Sequence, residues 1–292
     1  MFQWCVSGLL RCLAILPWRC LRGLGYGLGW LLYVLRGREV RNVLANLAIV
    51  YPRYDKHQQS RFARQVLYHS AITYLEMPRI WLSSSLLSSR IDDQGLGQVM
   101  RDLLAQGNGL ILAMPHLGNW EMVSSAMDPT LSITGLYRPP RQACMEPILI
   151  AGRNKARIRT VPITKSGLKA LHNALKAQEV VAILPDQVPK SAGTAAVSAP
   201  FFGRDTLTMV LLNRLARRHQ TPVLFVWAKR LPNGTYQMGY SVGDERLRDA
   251  EVSVAATALN EAIELCIADC PAQYQWAYRR FKPVHAEQNN PY

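Results

Sequence analysis

The chain has 292 residues, of which 49% are hydrophobic and 18% charged; 34 Lys and Arg against 20 Asp and Glu give a formal net charge of +14 and a pI of about 9.8. That composition supports one large domain with a sizeable core, and it excludes a disordered chain or a minimal module. The positive field selects polyanionic partners (nucleic acid, anionic lipid, phosphorylated substrate, an acidic carrier protein) without choosing among them.

Residues 1–35 are apolar but interrupted by Arg11, Pro17, Arg19 and Arg22. The longest charge-free piece, 23–35, is short against the roughly 20 apolar residues of a spanning helix. The start has neither the basic flank nor the cleavage site of a signal peptide. Gly23, Gly25, Gly27 and Gly29 alternate in a pattern that does not fit G-x-G-x-x-G. Trp, Leu and Arg together suit a helical segment lying in a membrane interface, Arg toward lipid phosphates; a helix pair under the core is the other reading. Arg36, Arg38 and Arg41 follow as an anchor to anionic headgroups on the cytoplasmic face, or as an ordinary solvated helix face.

Apolar or small residues at 62, 66, 70, 73 and 77 predict a helix over 60–77, and Leu96, Val99, Leu103 and Leu104 predict a second, ending at Gly107. Residues 109–114 then read as a buried strand stopped by Pro115. His116 stands at its exit, Gly118 and Asn119 permit a tight turn, Asn119 is a helix N-cap, and Glu121 falls in the first helical turn. This is the carboxyl end of a strand, where open α/β sheets bind ligands. The intervening turn lets Glu121 fold back to the ring, making a carboxylate-held general base. A loop His and a helix-end charge fit the bare His-x4-Glu spacing equally well.

Residues 131–137 predict a strand, and 145–150 lead into Arg153, which can clamp a phosphate or steady an oxyanion, or belong to a surface cluster with Lys155, Arg157 and Arg159. Leu168, Leu171 and Leu175 mark a helix; 180–184 is a buried strand, again followed by Pro and a polar pair, Pro185-Asp186-Gln187. Residues 190–198 read as a mobile small-residue loop. Asp205 or Thr206 is expected to cap a helix running through Leu207, Leu211 and Leu215. Residues 223–228 and 236–242 form a hairpin about Pro232-Asn233-Gly234, 252–270 a helix stopped by Pro271, and 284–292 a disordered tail. The six cysteines have no zinc spacing and read as reduced thiols. The alternation of strands and helices predicts an α/β single domain over 36–283, with a central mixed, mostly parallel sheet flanked by helices.

Several phrases recur in a fixed order: PHLGNWE at 115–121, YRP at 137–139, Gly152-Arg153, LPDQ at 184–187, PFFG at 200–203 and PAQYQWAYRRFK at 271–282. The set resembles the bacterial lipid A late acyltransferase family, within the His-x4-Asp/Glu acyltransferases. Where the glycerol-phosphate branch has Pro-Glu-Gly-Thr-Arg, this chain has Pro185-Asp186-Gln187-Val188-Pro189-Lys190, which favours the lipid A branch. The resemblance implies transfer of a fatty acyl chain from acyl carrier protein to a lipid A precursor of the Kdo2-lipid IVA type, at the cytoplasmic face of the bacterial inner membrane, without metal or other cofactor. It implies His116 as general base and Glu121 as the group holding its ring. Backbone donors at Gly118, Asn119 and Trp120, or Arg153, would meet the oxyanion, and Asp186 would orient Arg153 or position the acceptor. An acyltransferase for another glycolipid or lysophospholipid shares these motifs. A nucleic-acid-binding protein would instead show basic residues interleaved with aromatics on one module, whereas here they are scattered.

Overall fold

A computed structural model describes residues 2–82, 87–140, 142–155, 157–189, 195–284 and 287–292. Four helices come first: α1 (Phe2–Ile15), α2 (Trp18–Leu35), α3 (Arg38–Val50) and α4 (Lys56–Leu82). Strands and helices then alternate: β1 (Ile91–Asp92), α5 (Leu96–Leu104), β2 (Leu110–Ala113), β3 (Ile133–Tyr137), α6 (Glu146–Lys155), β4 (Ile158–Pro162), α7 (Lys165–Lys176) and β5 (Val180–Ile183). A hairpin of β6 (Ala196–Phe201) and β7 (Arg204–Met209) leads to α8 (Leu211–His219), β8 (Val223–Arg230), β9 (Tyr236–Val242) and α9 (Val252–Asp269).

Among the described residues the main sheet has seven strands in the order β1-β9-β8-β2-β5-β3-β4. Every neighbouring pair is parallel except the β8–β9 hairpin. The expected mixed, mostly parallel sheet is therefore present. Its centre is dry because β2 and β5 are continuous apolar runs, buried on both faces as a helix-covered parallel sheet requires. One face packs on α3, α7, α8 and α9, and the other on α5 and the segment through Val123.

The alternating glycines of α2 are packing residues. A Cβ at Gly25 would lie 2.9 Å from Ile72 Cβ, and one at Gly29 would lie 2.7 Å from Tyr68 Cα, so α2 sits directly on the backbone of α4. Gly23 and Gly27 face open space. The opposite side of α2 leaves Leu24, Leu28, Leu31 and Leu35 exposed. Among the described residues no helix is long and apolar enough to cross a membrane.

Three local expectations change. The helix expected from Asp205 or Thr206 starts only at Leu211, and 204–209 is β7. Its inward side chains, Thr206 and Thr208, are buried but polar, so the period of two is invisible to a hydrophobicity reading. Of the small-residue loop, 190–194 lie outside the described residues and 196–198 belong to β6. The tail expected to be disordered docks instead: the Tyr292 hydroxyl donates to Asn46 and accepts the Phe281 N–H at 2.9 Å, and Arg279 lies 5.5 Å over its ring. A terminal ring that finds both hydrogen bonds and a cation offsets the entropy of ordering a short polar tail.

Candidate active site

β2 and β5 are adjacent and in register, Ala113 opposite Ile183, so their Pro-containing exits run side by side. That brings together two residues 70 positions apart. His116 Nδ1 lies 2.7 Å from Asp186 Oδ1, and the His116 backbone N–H donates to Asp186 Oδ2 at 2.9 Å. The aspartate side chain is 2% exposed and the imidazole 14%. Burial works to raise the Asp186 carboxyl, but the imidazole beside it and the hydrogen bonds from His116 overcome this and hold it below the usual carboxylate range. An ionised Asp186 can only accept, so Nδ1 carries the proton of this hydrogen bond and Nε2 is the ring nitrogen left toward Gln187. The Gln187 amide stands 3.2 Å from Nε2 and donates to Gln275 Oε1 at 3.0 Å. Gln275 in turn donates its backbone N–H to the His116 carbonyl at 3.0 Å. The Trp120 ring meets the imidazole edge-on at 4.9 Å.

The turn after His116 is held by close backbone contact. Gly118 has φ +64, and a Cβ there would lie 1.9 Å from the Ala228 carbonyl oxygen, so this position accepts glycine alone. Its N–H donates to Gln273 O at 3.1 Å, and the Asn119 N–H to Ala228 O at 3.0 Å. Those two amides therefore dock the turn onto β8 and the segment after α9. Asn119 does not cap a helix. Its fully buried side chain donates to Glu76 at 3.1 Å, and the segment behind it is a short 3-10 turn over Met122–Ala126.

Glu121 does not reach His116. The 3-10 turn carries its carboxylate to Arg153, with Arg153 Nη2 at 2.5 Å from Oε1 and Nε at 3.2 Å from Oε2; the Trp81 indole N–H adds a bond of 2.9 Å. The expectation that Glu121 holds the imidazole is thus corrected: Asp186 holds it, and Glu121 holds Arg153. Asp186 in consequence does not orient Arg153. Burial again works to raise Glu121, and the guanidinium with its hydrogen bonds wins, keeping the group ionised. Gly152 makes this possible, since a Cβ there would lie 2.6 Å from Trp81 Cβ; α6 can press onto α4 and aim Arg153 inward.

Trp120, Glu121 and Arg153 line a narrow, mostly apolar cavity of about 40 Å³, together with Leu112, Ile133, Ile158 and Ala182. Its lining is largely hydrocarbon, with the Glu121–Arg153 pair as its charged members, a few polar groups on an apolar wall. Trp81 joined the site without warning from the sequence, a single residue of α4 with no local pattern to mark it. Gln275 lies within the phrase at 271–282, at a position between its matching residues.

Residues 1–283 match the family model described as bacterial lipid A biosynthesis acyltransferase. The chain is 25% identical over 284 residues to the lipid A biosynthesis lauroyltransferase of Escherichia coli K12, covering 96% of this chain and 90% of that protein. The E. coli K12 lipid A biosynthesis palmitoleoyltransferase matches to the same extent. A lipid A biosynthesis acyltransferase of Haemophilus influenzae is 25% identical over 287 residues, covering 96% of this chain and 89% of its own length.

Proposed function

This chain belongs to the bacterial lipid A biosynthesis acyltransferase family and is an O-acyltransferase, and from that premise we propose how its residues carry out the reaction. The acceptor is a hydroxyl of a lipid A precursor and the donor an acyl carrier protein thioester. The observation that carries the reading is the His116–Asp186 pair at two adjacent strand ends, beside an apolar cavity.

His116 Nε2 takes the hydroxyl proton, and Asp186 stabilises the imidazolium that forms. The alkoxide attacks the thioester carbonyl, forming the ester C–O bond. Arg153, fixed by Glu121 at the cavity mouth, faces the tetrahedral oxyanion. As the C–S bond breaks, the imidazolium returns its proton to the leaving sulfur. The acyl chain follows the apolar lining of the cavity, which widens to hold it, and no cofactor enters these steps. The basic surface suits an acidic carrier and a phosphorylated acceptor. The exposed leucines of α2 rest on the membrane at its cytoplasmic face, so that a lipid acceptor reaches the site from the bilayer.

The test is an acyl-transfer assay on the detergent-solubilised protein, with carrier thioesters of several chain lengths and a lipid A precursor. Product from the wild type, and a loss of at least about a hundredfold in His116→Ala, is the expected result. Full activity in the variant removes the general base. Transfer only to another lipid keeps the chemistry and changes the acceptor.

A further inference from the structure

A second concavity, a groove of about 850 Å³, opens between α2, α4, the β8–β9 turn and the segment after α9. It lies beyond β8, whereas the acyl cavity lies under β5, β3 and β4, so the two flank the end of β2 from opposite sides. They are linked by side chains. Arg230, in the groove, donates to Thr73 Oγ1 at 2.9 Å, and Thr73 donates to the Gly118 carbonyl of the catalytic turn at 3.1 Å.

The groove carries surplus positive charge. Lys229 is paired with Asp269 at 2.7 Å and Arg230 with Glu76 at 2.7 Å, but Arg22 and Arg64 have no carboxylate partner among the described residues. Arg22 is fixed: it donates to Pro232 O and Leu231 O, each at 2.9 Å, and its Nε is buried without a partner. His69 also lines the groove. Burial, then the charges of Arg230 and Arg22, push its imidazole down to about 3, so it is neutral. Its Nδ1 faces the Arg230 guanidinium at 3.4 Å, an N–H donor, which puts the ring proton on Nε2 as a further donor. Beside these stand the stacked rings of Tyr26 and Tyr68, centroids 3.7 Å apart, with the Tyr26 ring largely exposed.

One fixed guanidinium at Arg22, an exposed one at Arg64 over the Tyr33 ring, a neutral N–H donor and flat aromatic surface together match one ligand class: a phosphorylated sugar, phosphate on a guanidinium and its ring on the aromatics. We propose that this groove binds the phosphosugar headgroup of the acceptor, with Arg22 and Arg64 as separate cationic contacts for phosphate and His69 and Tyr26 on the sugar. The proposal rests on the acyl-transfer reading for the identity of the acceptor. A phosphate presented by a membrane phospholipid shares part of this chemistry, and the experiment separates the two.

Glucosamine 1-phosphate and inorganic phosphate are titrated into the full-length, detergent-solubilised protein, and the same samples are assayed with varied acceptor and varied thioester. The sugar phosphate is expected to bind saturably, and at least about tenfold more weakly to Arg64→Ala and Arg22→Ala. In the assay, the acceptor KM rises by a similar factor while kcat and the thioester KM stay within about threefold, and Arg64→Lys recovers most of the loss. Arg22 braces the β8–β9 turn, so its thermal midpoint is followed; Arg64 is exposed and carries the test alone if the Arg22 variant does not fold. An unchanged acceptor KM in Arg64→Ala overturns the proposal and leaves the acyl-transfer reading standing. Loss of sedimentation with phosphatidylglycerol vesicles in that variant, with acceptor KM unchanged, assigns the groove to membrane phospholipid and also overturns it. Inorganic phosphate binding as tightly as the sugar phosphate removes the aromatic part of the argument and overturns the sugar assignment. A wild type that acylates no phosphoglycolipid defeats the proposed function, whereas the glucosamine 1-phosphate titration still reads the groove directly.

Discussion

Two polar networks meet at the turn after His116, and they are finished to different degrees. On one side, Asp186 satisfies Nδ1 and the backbone of His116 while Nε2 keeps only an exchangeable contact with the Gln187 amide. On the other side, Glu76 is sealed: it accepts from Arg230, the Tyr236 hydroxyl at 2.5 Å and Asn119, and is wholly buried. A network with one open lone pair beside a cavity is built for reaction. A network whose charged members are paired and fully buried is built to hold a shape, here the backbone on which the first network stands.

The comparison breaks most sharply at Asp186. Asp186→Asn keeps the volume but presents an amide to Nδ1, so the ring loses both its tautomer and the charge that stabilises its protonated form. We expect kcat to fall by about 10²–10⁴ while the melting midpoint moves little. If Asp186 only braced the two strand exits, stability would fall and the surviving activity per folded molecule would not. Glu76 should behave in the converse way. Glu76→Gln leaves Arg230 buried without its counter-charge, and breaking such a pair costs about 3–5 kcal/mol. Urea unfolding reads that loss, and the remaining folded protein is expected to turn over within a few-fold of wild type at low temperature.

Glu121 and Arg153 offer an intermediate case, buried like Glu76 and Arg230 but at the cavity mouth, with the arginine side chain 17% exposed. If the carboxylate acts only by fixing the guanidinium, the two act as a unit. Glu121→Ala and Arg153→Ala are then expected to lose about the same activity, on the order of a hundredfold, and the double variant no more. Additive losses would show Glu121 acting on the chemistry separately, as a ring-holding carboxylate would.

That case also marks where the sequence stops being legible. The strands 109–114, 180–184, 223–228 and 236–242 announce themselves as apolar runs between breakers, and the sheet contains all four. What no run announces is which strands are neighbours. Pairing between dry parallel strands rests on nonspecific hydrophobic contact, so the separation of 70 positions between His116 and Asp186 hides the fact that their strands touch. The repeated strand-Pro-polar phrase at 115–116 and 185–186 was the available hint. Proximity in sequence drew Glu121 toward His116 instead; a single 3-10 turn, set by Asn119 reaching back to Glu76, swings it to Arg153. Arg153 itself, surrounded by other basic residues, was legible only through the family resemblance. β7 failed for a different reason, because its buried stripe is threonine serving the Arg280 guanidinium.

Gln187 tests the comparison at its finest point. Its amide donates toward the one nitrogen that must be vacant when the acceptor hydroxyl arrives, and it is tethered there by Gln275, whose own amide donates to the Tyr74 hydroxyl. A bond that is broken before the reaction contributes to the ground state alone, so removing it lowers the cost of admitting the acceptor without touching the transition state. Gln187→Ala is therefore expected to change kcat by less than about threefold and to lower the acceptor KM modestly. The alternative is that the amide swings onto the oxyanion once displaced. In that case kcat falls by about 10²–10³, as for loss of an oxyanion donor, and the His116 network was never open: its outer partner would be part of the catalytic machinery.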